Sequence, residues 1–535
     1  MKIQFKSLIV AIAVVTSVQA YGQYRDHATL SRDLNDLARS YPTISELTSL
    51  VKTEGGKDIW LLTIGTGNKH EKPGIAVFGG VEGNHLLGIE MAAGFAEHLL
   101  RDSETQEVRD LLSNVTFYVF PNVSPDASQQ YFADLRYDRK WNARPVEANR
   151  ANRGEGVPFS DLNGDGYITM MRVEHPAGTH VPSRDDPRVM VRADLARGER
   201  GLYLMFPEGA ESNNGGRPAE NIEGGVNFNN NWSFNYQEFG RHAGPHAVSE
   251  PETEAVAEFL FDHFNIYAVF AFGPQDNLAQ PMRSGERRAG TREITSILRT
   301  DETINRLVSS RYREVTGVRG TPVTTNVSGN FMEWAYFHYG RYSFSTPGWW
   351  FPQERGANSE VAFLKYAEES GRNDIFVPWQ EVNHPDFPER KVEVGGIKPF
   401  VMTNPPAEMV SGIVESNYRF VKEVAGMHPD LQFIDIEVDN VGSDIYRLTL
   451  SVHNRGFFAT IAEIGAPNQF VRLPRITLEL ARGQEILSGD RVQQLGRIEG
   501  TRSREFIWLI RGRGNIDIRT GDINTGVINT TVNIR

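Results

Sequence analysis

The chain has 535 residues, a net charge of −12, 23% charged and 39% hydrophobic residues, and no cysteine. That length exceeds one ordinary domain, and the composition excludes a wholly disordered chain or a polytopic membrane protein. The acidity disfavours a nucleic-acid partner, which needs a basic surface, and the lack of cysteine excludes disulfides, thiol nucleophiles and Cys-ligated zinc.

In chain order, residues 1–20 read as a cleaved signal peptide. Lys2 and Lys6 form a basic start, Ser7 to Val15 an apolar stretch too short to span a bilayer, and Val18-Gln19-Ala20 a small-residue cleavage site. No later segment is apolar for long enough to cross a membrane, so the expected location is the periplasm or outside the cell. Ile59 to Ile64 predicts a short strand, and Gly74 to Gly80 a buried strand closed by glycines. Met91, Phe95 and Leu99 then recur at helical spacing, and Val115 to Phe120 predicts another strand before Pro121. Strand, helix, strand at this spacing predicts an α/β fold with a mixed sheet over residues 21–428. Residues 142–225, rich in Gly, Pro, Asn and Arg, interrupt the rhythm and read as an insertion. From 429 to 535 the pattern changes to strand period, with Tyr446, Leu448, Leu450 and Val452 alternating with polar residues, which predicts an appended β-sandwich.

The segment Gly79-Gly80-Val81-Glu82-Gly83-Asn84-His85 holds the most chemistry. A buried strand ends in glycines, a helix begins, and a carboxylate and an imidazole stand on the turn between. Such a turn can present both side chains to one metal ion; the alternative is that they cap the helix. The strand, the glycines and the Gly-x-Glu helix start resemble the zinc carboxypeptidase family, the carboxypeptidase A-like metallopeptidases. Three further runs resemble that family's motifs in the same order: Phe120-Pro121-Asn122-Val123-Ser124-Pro125-Asp126, Asn227-Phe228-Asn229-Asn230-Asn231-Trp232 and Ser249-Glu250-Pro251-Glu252-Thr253. The resemblance covers most of residues 24–426 and implies a mixed eight-stranded sheet between helices, a catalytic zinc ion and a peptide substrate.

Residue by residue, the implied chemistry is altered. The family's first ligands come from H-x-x-E, whereas this chain has Glu82 and His85, in inverted order. The third ligand, a histidine, falls at Phe270 by the resemblance. The arginine that clamps a terminal carboxylate falls at Asn230, which leaves Asn229 and Asn230 as substrate-binding candidates. No glutamate follows Ser343-Phe344-Ser345 until Glu354, so the general base is missing. A second arginine is expected near Trp141, and Arg139 and Arg144 flank that position out of register. Two ligands without a base would hold zinc weakly and leave its water without a proton acceptor.

Asp161, Asn163 and Asp165, followed by Gly166 and Ile168, match the first half of a calcium loop, although Arg172 stands where a bidentate glutamate belongs; a plain Asx-rich turn is the alternative. His242 and His246 read as satisfied loop histidines, His338 as packing among aromatics, and Trp349 and Trp350 as buried tryptophans, with a sugar or peptide groove as the alternative. The resulting expectation is an exported protein that binds peptide or peptidoglycan-type fragments with little hydrolysis. The alternatives are a working zinc carboxypeptidase or amidohydrolase with an altered ligand set, and a structural or surface-assembly protein.

Overall fold

The computed structural model describes residues 24–145, 159–209, 224–285, 293–324, 327–468 and 470–535. The signal-peptide segment 1–20 lies outside the described residues. Twelve strands precede residue 400 among the described residues: β1 (Ser45–Lys52), β2 (Asp58–Ile64), β3 (Gly74–Phe78), β4 (Thr116–Phe120), β5 (Met170–Glu174), β6 (His180–Pro182), β7 (Met190–Arg192), β8 (Tyr203–Pro207), β9 (Ile266–Phe272), β10 (Tyr342–Thr346), β11 (Phe376–Val382) and β12 (Val392–Ile397).

The central sheet has the order β1-β2-β4-β3-β9-β10. β4, β3, β9 and β10 run parallel, and β1 and β2 join antiparallel at one edge. The four parallel strands are buried at every position, which is why each reads as a continuous apolar run: both faces of the sheet are covered. Ile75, Val77, Phe270 and Phe272 face one core, shared with the helices Leu86–Arg101 and Ala407–Ala425. Ala76, Phe78, Val269 and Ala271 face the other, under the helices Pro251–Asp262 and Phe331–Phe337.

The sheet differs from the expected eight strands. β11 and β12 do not extend it past β10; β12 pairs antiparallel with β5, with Val392 opposite Val173. The insertion therefore supplies four strands of a second six-stranded sheet, β11-β12-β5-β8-β6-β7, with its own small core of Met171, Val173, Val392 and Val394. Arg172 ties the two halves, bonding Glu393 at 2.8 Å beneath the Trp379 ring.

The C-terminal residues form β13 (Leu431–Gly442), β14 (Ile445–Asn454), β15 (Arg475–Leu480), β16 (Glu485–Ser488), β17 (Val492–Gln494), β18 (Ser503–Arg511), β19 (Gly514–Asp522) and β20 (Gly526–Ile534). They make two four-stranded antiparallel sheets, β13-β14-β18-β16 and β17-β15-β19-β20, around Leu448, Leu450, Ile476, Trp508, Ile510 and Ile518. The connection from β14 to β15 docks this unit on the α/β part. Phe458 packs on Tyr267 and Tyr342 with ring centroids 5.5 and 4.9 Å away, and Asp301 accepts the Glu463 and Ile464 amides at 2.8 and 3.0 Å. These contacts lie at the starts of β9 and β10, the end of the sheet opposite the strand–helix turn at Glu82. Among the described residues no helix is long and apolar enough to cross a membrane.

Candidate functional site

The site is built where β3, β9 and β10 end. Gly80 has φ +66°, and a Cβ there would lie 2.3 Å from the Asn122 side-chain oxygen, so only glycine allows this turn. Asn122 accepts the Ser124 amide and donates to the Ser128 hydroxyl, which fixes the proline-rich turn behind it. The helix Leu86–Arg101 starts immediately after His85, and no side chain caps it through His85. Its first turn lies against β9: a Cβ on Gly88 would stand 2.3 Å from the Phe272 carbonyl and 2.7 Å from His85 Nδ1. Asn404 clamps the turn from outside, accepting the Leu87 amide and donating to the Asn84 carbonyl.

Glu82 is buried, yet its carboxylate is fully engaged. Oε1 accepts from Lys140 Nζ at 3.0 Å and Asn227 Nδ2 at 3.2 Å, and Oε2 accepts from Asn229 Nδ2 at 3.1 Å. A short backbone pairing of Trp141 with Asn227 brings Lys140 and Asn227 to the same place. Glu82 holds Lys140 above its ordinary pKa, so the lysine is an ammonium. His85 makes a different contact: its Nε2 donates to the Pro347 carbonyl at 3.0 Å. Burial lowers its pKa to about 4 against the opposing pull of the Pro347 and Phe272 carbonyls and of Glu82, so the ring is neutral. Its Nδ1 is buried without a hydrogen-bond partner of good geometry.

The remaining site positions fall as follows. Phe270 lies within β9, opposite Val77 and Phe344, its ring 5.1 Å from Phe344 and 6.0 Å from Phe420. It belongs to the core; the residue at the strand's end, beside the Glu82 turn, is Phe272. Pro347 follows β10, and Glu354 is exposed in the loop beyond. Arg139 donates to the Trp141 and Asn142 carbonyls, and Arg144 bonds Glu250 at 2.6 Å. Asn229 is wholly buried: it joins Glu82 to the Gln275 carbonyl oxygen at 2.9 Å and accepts the Phe331 amide. Asn230 follows it; among the described residues neither its buried Oδ1 nor Nε2 of Gln275 has a hydrogen-bond partner.

These residues do not fit the zinc ion that the resemblance implies. Glu82 faces an ammonium and two amide donors, His85 turns its N–H to a carbonyl, and phenylalanines occupy β9. Among the described residues no three His, Cys, Asp or Glu side chains gather as metal ligands.

A second buried polar group lies beside the first. Asn142 Nδ2 donates to both Glu250 and Glu252 at 2.8 Å, and Glu250 caps the helix Pro251–Asp262 through a reciprocal bond with Thr253. Burial, then Glu250 and Asp126, push the Glu252 carboxyl up to about 7. In the calcium-like loop, Asp161 accepts the amides of Gly164, Asp165 and Gly166, and Asp165 accepts that of Tyr167. His242 stacks on Trp141 at 4.2 Å, His246 does not join it, and Trp349 is buried.

A family model described as zinc carboxypeptidase matches residues 30–194. Over that stretch the chain is similar to the zinc carboxypeptidase family. Carboxypeptidase B of Astacus astacus is 30% identical to this chain over 117 residues, 22% of this chain and 38% of the relative. Carboxypeptidase E of Caenorhabditis elegans is 24% identical over 197 residues, 35% of this chain and 40% of the relative. The chain thus spans well under half the length of these curated relatives. Among solved structures, thrombin activatable fibrinolysis inhibitor aligns with TM-score 0.43 and 13% identity over 76% of this chain and 78% of that one. Carboxypeptidase A from Helicoverpa armigera aligns with TM-score 0.43 and 12% identity over 75% and 73%. Residues 430–533 match a domain of unknown function (DUF8731).

Lys140, Asn227 and Gln275, around Glu82, are not among the residues that the sequence singles out. The signal available for Lys140 is its place in the Arg139-Lys140-Trp141 run. Gln275 had none, because only the fold brings the loop after β9 onto Asn229.

Proposed function

We propose that this chain is a non-hydrolytic member of the zinc carboxypeptidase family that binds peptide. One observation carries the reading: the Glu82 carboxylate is saturated by Lys140, Asn227 and Asn229, while Pro347 rather than an acid follows β10. A metal-bound water would find neither a complete ligand set nor a base. Peptide binding is supported by the family, whose model matches residues 30–194. Peptidoglycan-type fragments carry peptide amides and form a second ligand class to assay.

Two further proposals concern context. Residues 1–20 support export to the periplasm or beyond. The alternating oxygens of Asp161, Asn163 and Asp165 support a structural calcium ion in the insertion.

The test is a broad peptide library incubated with the protein, with and without zinc, and read by mass spectrometry. No stepwise loss of C-terminal residues is expected. Peptide ladders that disappear in Glu82→Ala would establish the enzyme reading instead.

A further inference from the structure

A carboxylate that is 5% exposed cannot keep its charge in water's company, and an isolated buried charge is strongly unfavourable without a partner. In a metal centre the ion is that partner. Here the partner is part of the chain. Lys140 reaches Glu82 Oε1 at 3.0 Å, and its own side chain is 46% exposed, so the ammonium approaches from the solvent side. Asn227 and Asn229 direct amide N–H groups at the same two oxygens, at 3.2 and 3.1 Å. The lone-pair directions around a carboxylate are few, and these N–H donors take both oxygens and repel a cation.

We propose that Lys140 is the resident cation of this centre: its ammonium stands in for a metal ion at Glu82 and excludes divalent metal from it. Being covalently attached, it needs no metal supply and cannot be removed by a chelator. The proposal rests on the reading of the centre as metal-free, and adds the residue responsible. It also separates Lys140 from Arg139 and Arg144, whose guanidinium groups are taken by backbone carbonyls and by Glu250.

The experiment uses the full-length chain and compares wild type, Lys140→Met and the double variant Lys140→Met/Glu82→Gln by thermal unfolding, with chelator and with excess zinc. Methionine keeps the apolar stem and removes the charge. In chelator, Lys140→Met is expected to melt at least about 5 °C below wild type, because Glu82 is left buried and unpaired. The double variant is expected to regain most of that loss, since a carboxamide needs no counter-charge. Added zinc is expected to leave wild type and the double variant unmoved. If Lys140→Met does not fold, the double variant carries the test: its folding supports the proposal, and its failure to fold overturns it. Lys140→Met as stable as wild type would overturn it too. Stabilisation of wild type by zinc would sink the metal-free reading itself, a distinguishable outcome.

Discussion

Glu252 holds its proton in the folded chain long after an ordinary carboxyl has released it, because Glu250 and Asp126 face it and burial excludes water. The sign follows from linkage. A carboxyl raised from 4.5 to about 7 contributes its full stability below the lower value, and that contribution is lost as pH rises through the higher one. Glu252→Gln keeps the acceptor for Asn142 and has no charge to acquire. The variant is therefore expected to gain on wild type between about pH 4.5 and 7, by up to about 3 kcal/mol, and to hold that lead above. Urea unfolding at pH 5 and pH 8 checks this; an unchanged difference between the two would contradict it. Phe270 yields a second expectation at this scale. Rebuilding the family's ligands by Glu82→His, His85→Glu and Phe270→His should not create a zinc site, because position 270 faces Phe344 and Phe420 rather than the turn. Burying an imidazole there costs about 3 kcal/mol, so the triple variant should melt lower with no zinc-dependent rise. The ligand types at 82 and 85 were legible in the sequence. Which groups would claim them was not, since Lys140, Asn227 and Asn229 arrive from segments far away in the chain.

At the scale of elements, legibility followed the strength of the pattern. β2, β3 and β4 were readable because a run of apolar residues between glycines or before a proline has few alternatives. The helix Leu86–Arg101 was readable as a helix, but its burial was not: Met91, Phe95 and Leu99 suggest one apolar face, whereas Leu86 to Leu100 are buried throughout. Its far side is covered by the helix Ala407–Ala425, where Tyr418 meets Phe95 and His98. The insertion was the weakest reading. Its strands are short, and β5 pairs with β12, a partner more than 200 residues away that no local pattern announces. The loop from Asp161 to Gly166 closes on its own amides, so its fold does not wait for an ion. Calcium is nonetheless expected to raise the melting temperature, and Asp161→Ala with Asp165→Ala to abolish that rise. Equal responses from wild type and the double variant would reduce the loop to a turn.

Across the whole molecule, the sandwich and the site occupy opposite ends of the central sheet. The alternation in β14 made the sandwich legible; its docking was not, because it depends on Phe458 and Asp301 rather than on any strand. Phe458 is fully buried between Tyr267 and Tyr342. Phe458→Ala is expected to cost about 3–5 kcal/mol and to split one calorimetric transition into two, one for each unit. A single transition, merely shifted, would show that other contacts hold the units together. The arrangement leaves the strand ends around Glu82 clear of the sandwich. There, on the assignment proposed above, a lysine and not a metal ion neutralises that carboxylate. The most direct measurement is the zinc content of wild-type protein, produced in zinc-supplemented medium and freed of loosely bound metal, by elemental analysis. Well under one zinc per chain is expected; one tightly held zinc per chain would contradict the assignment of Lys140 as the resident cation.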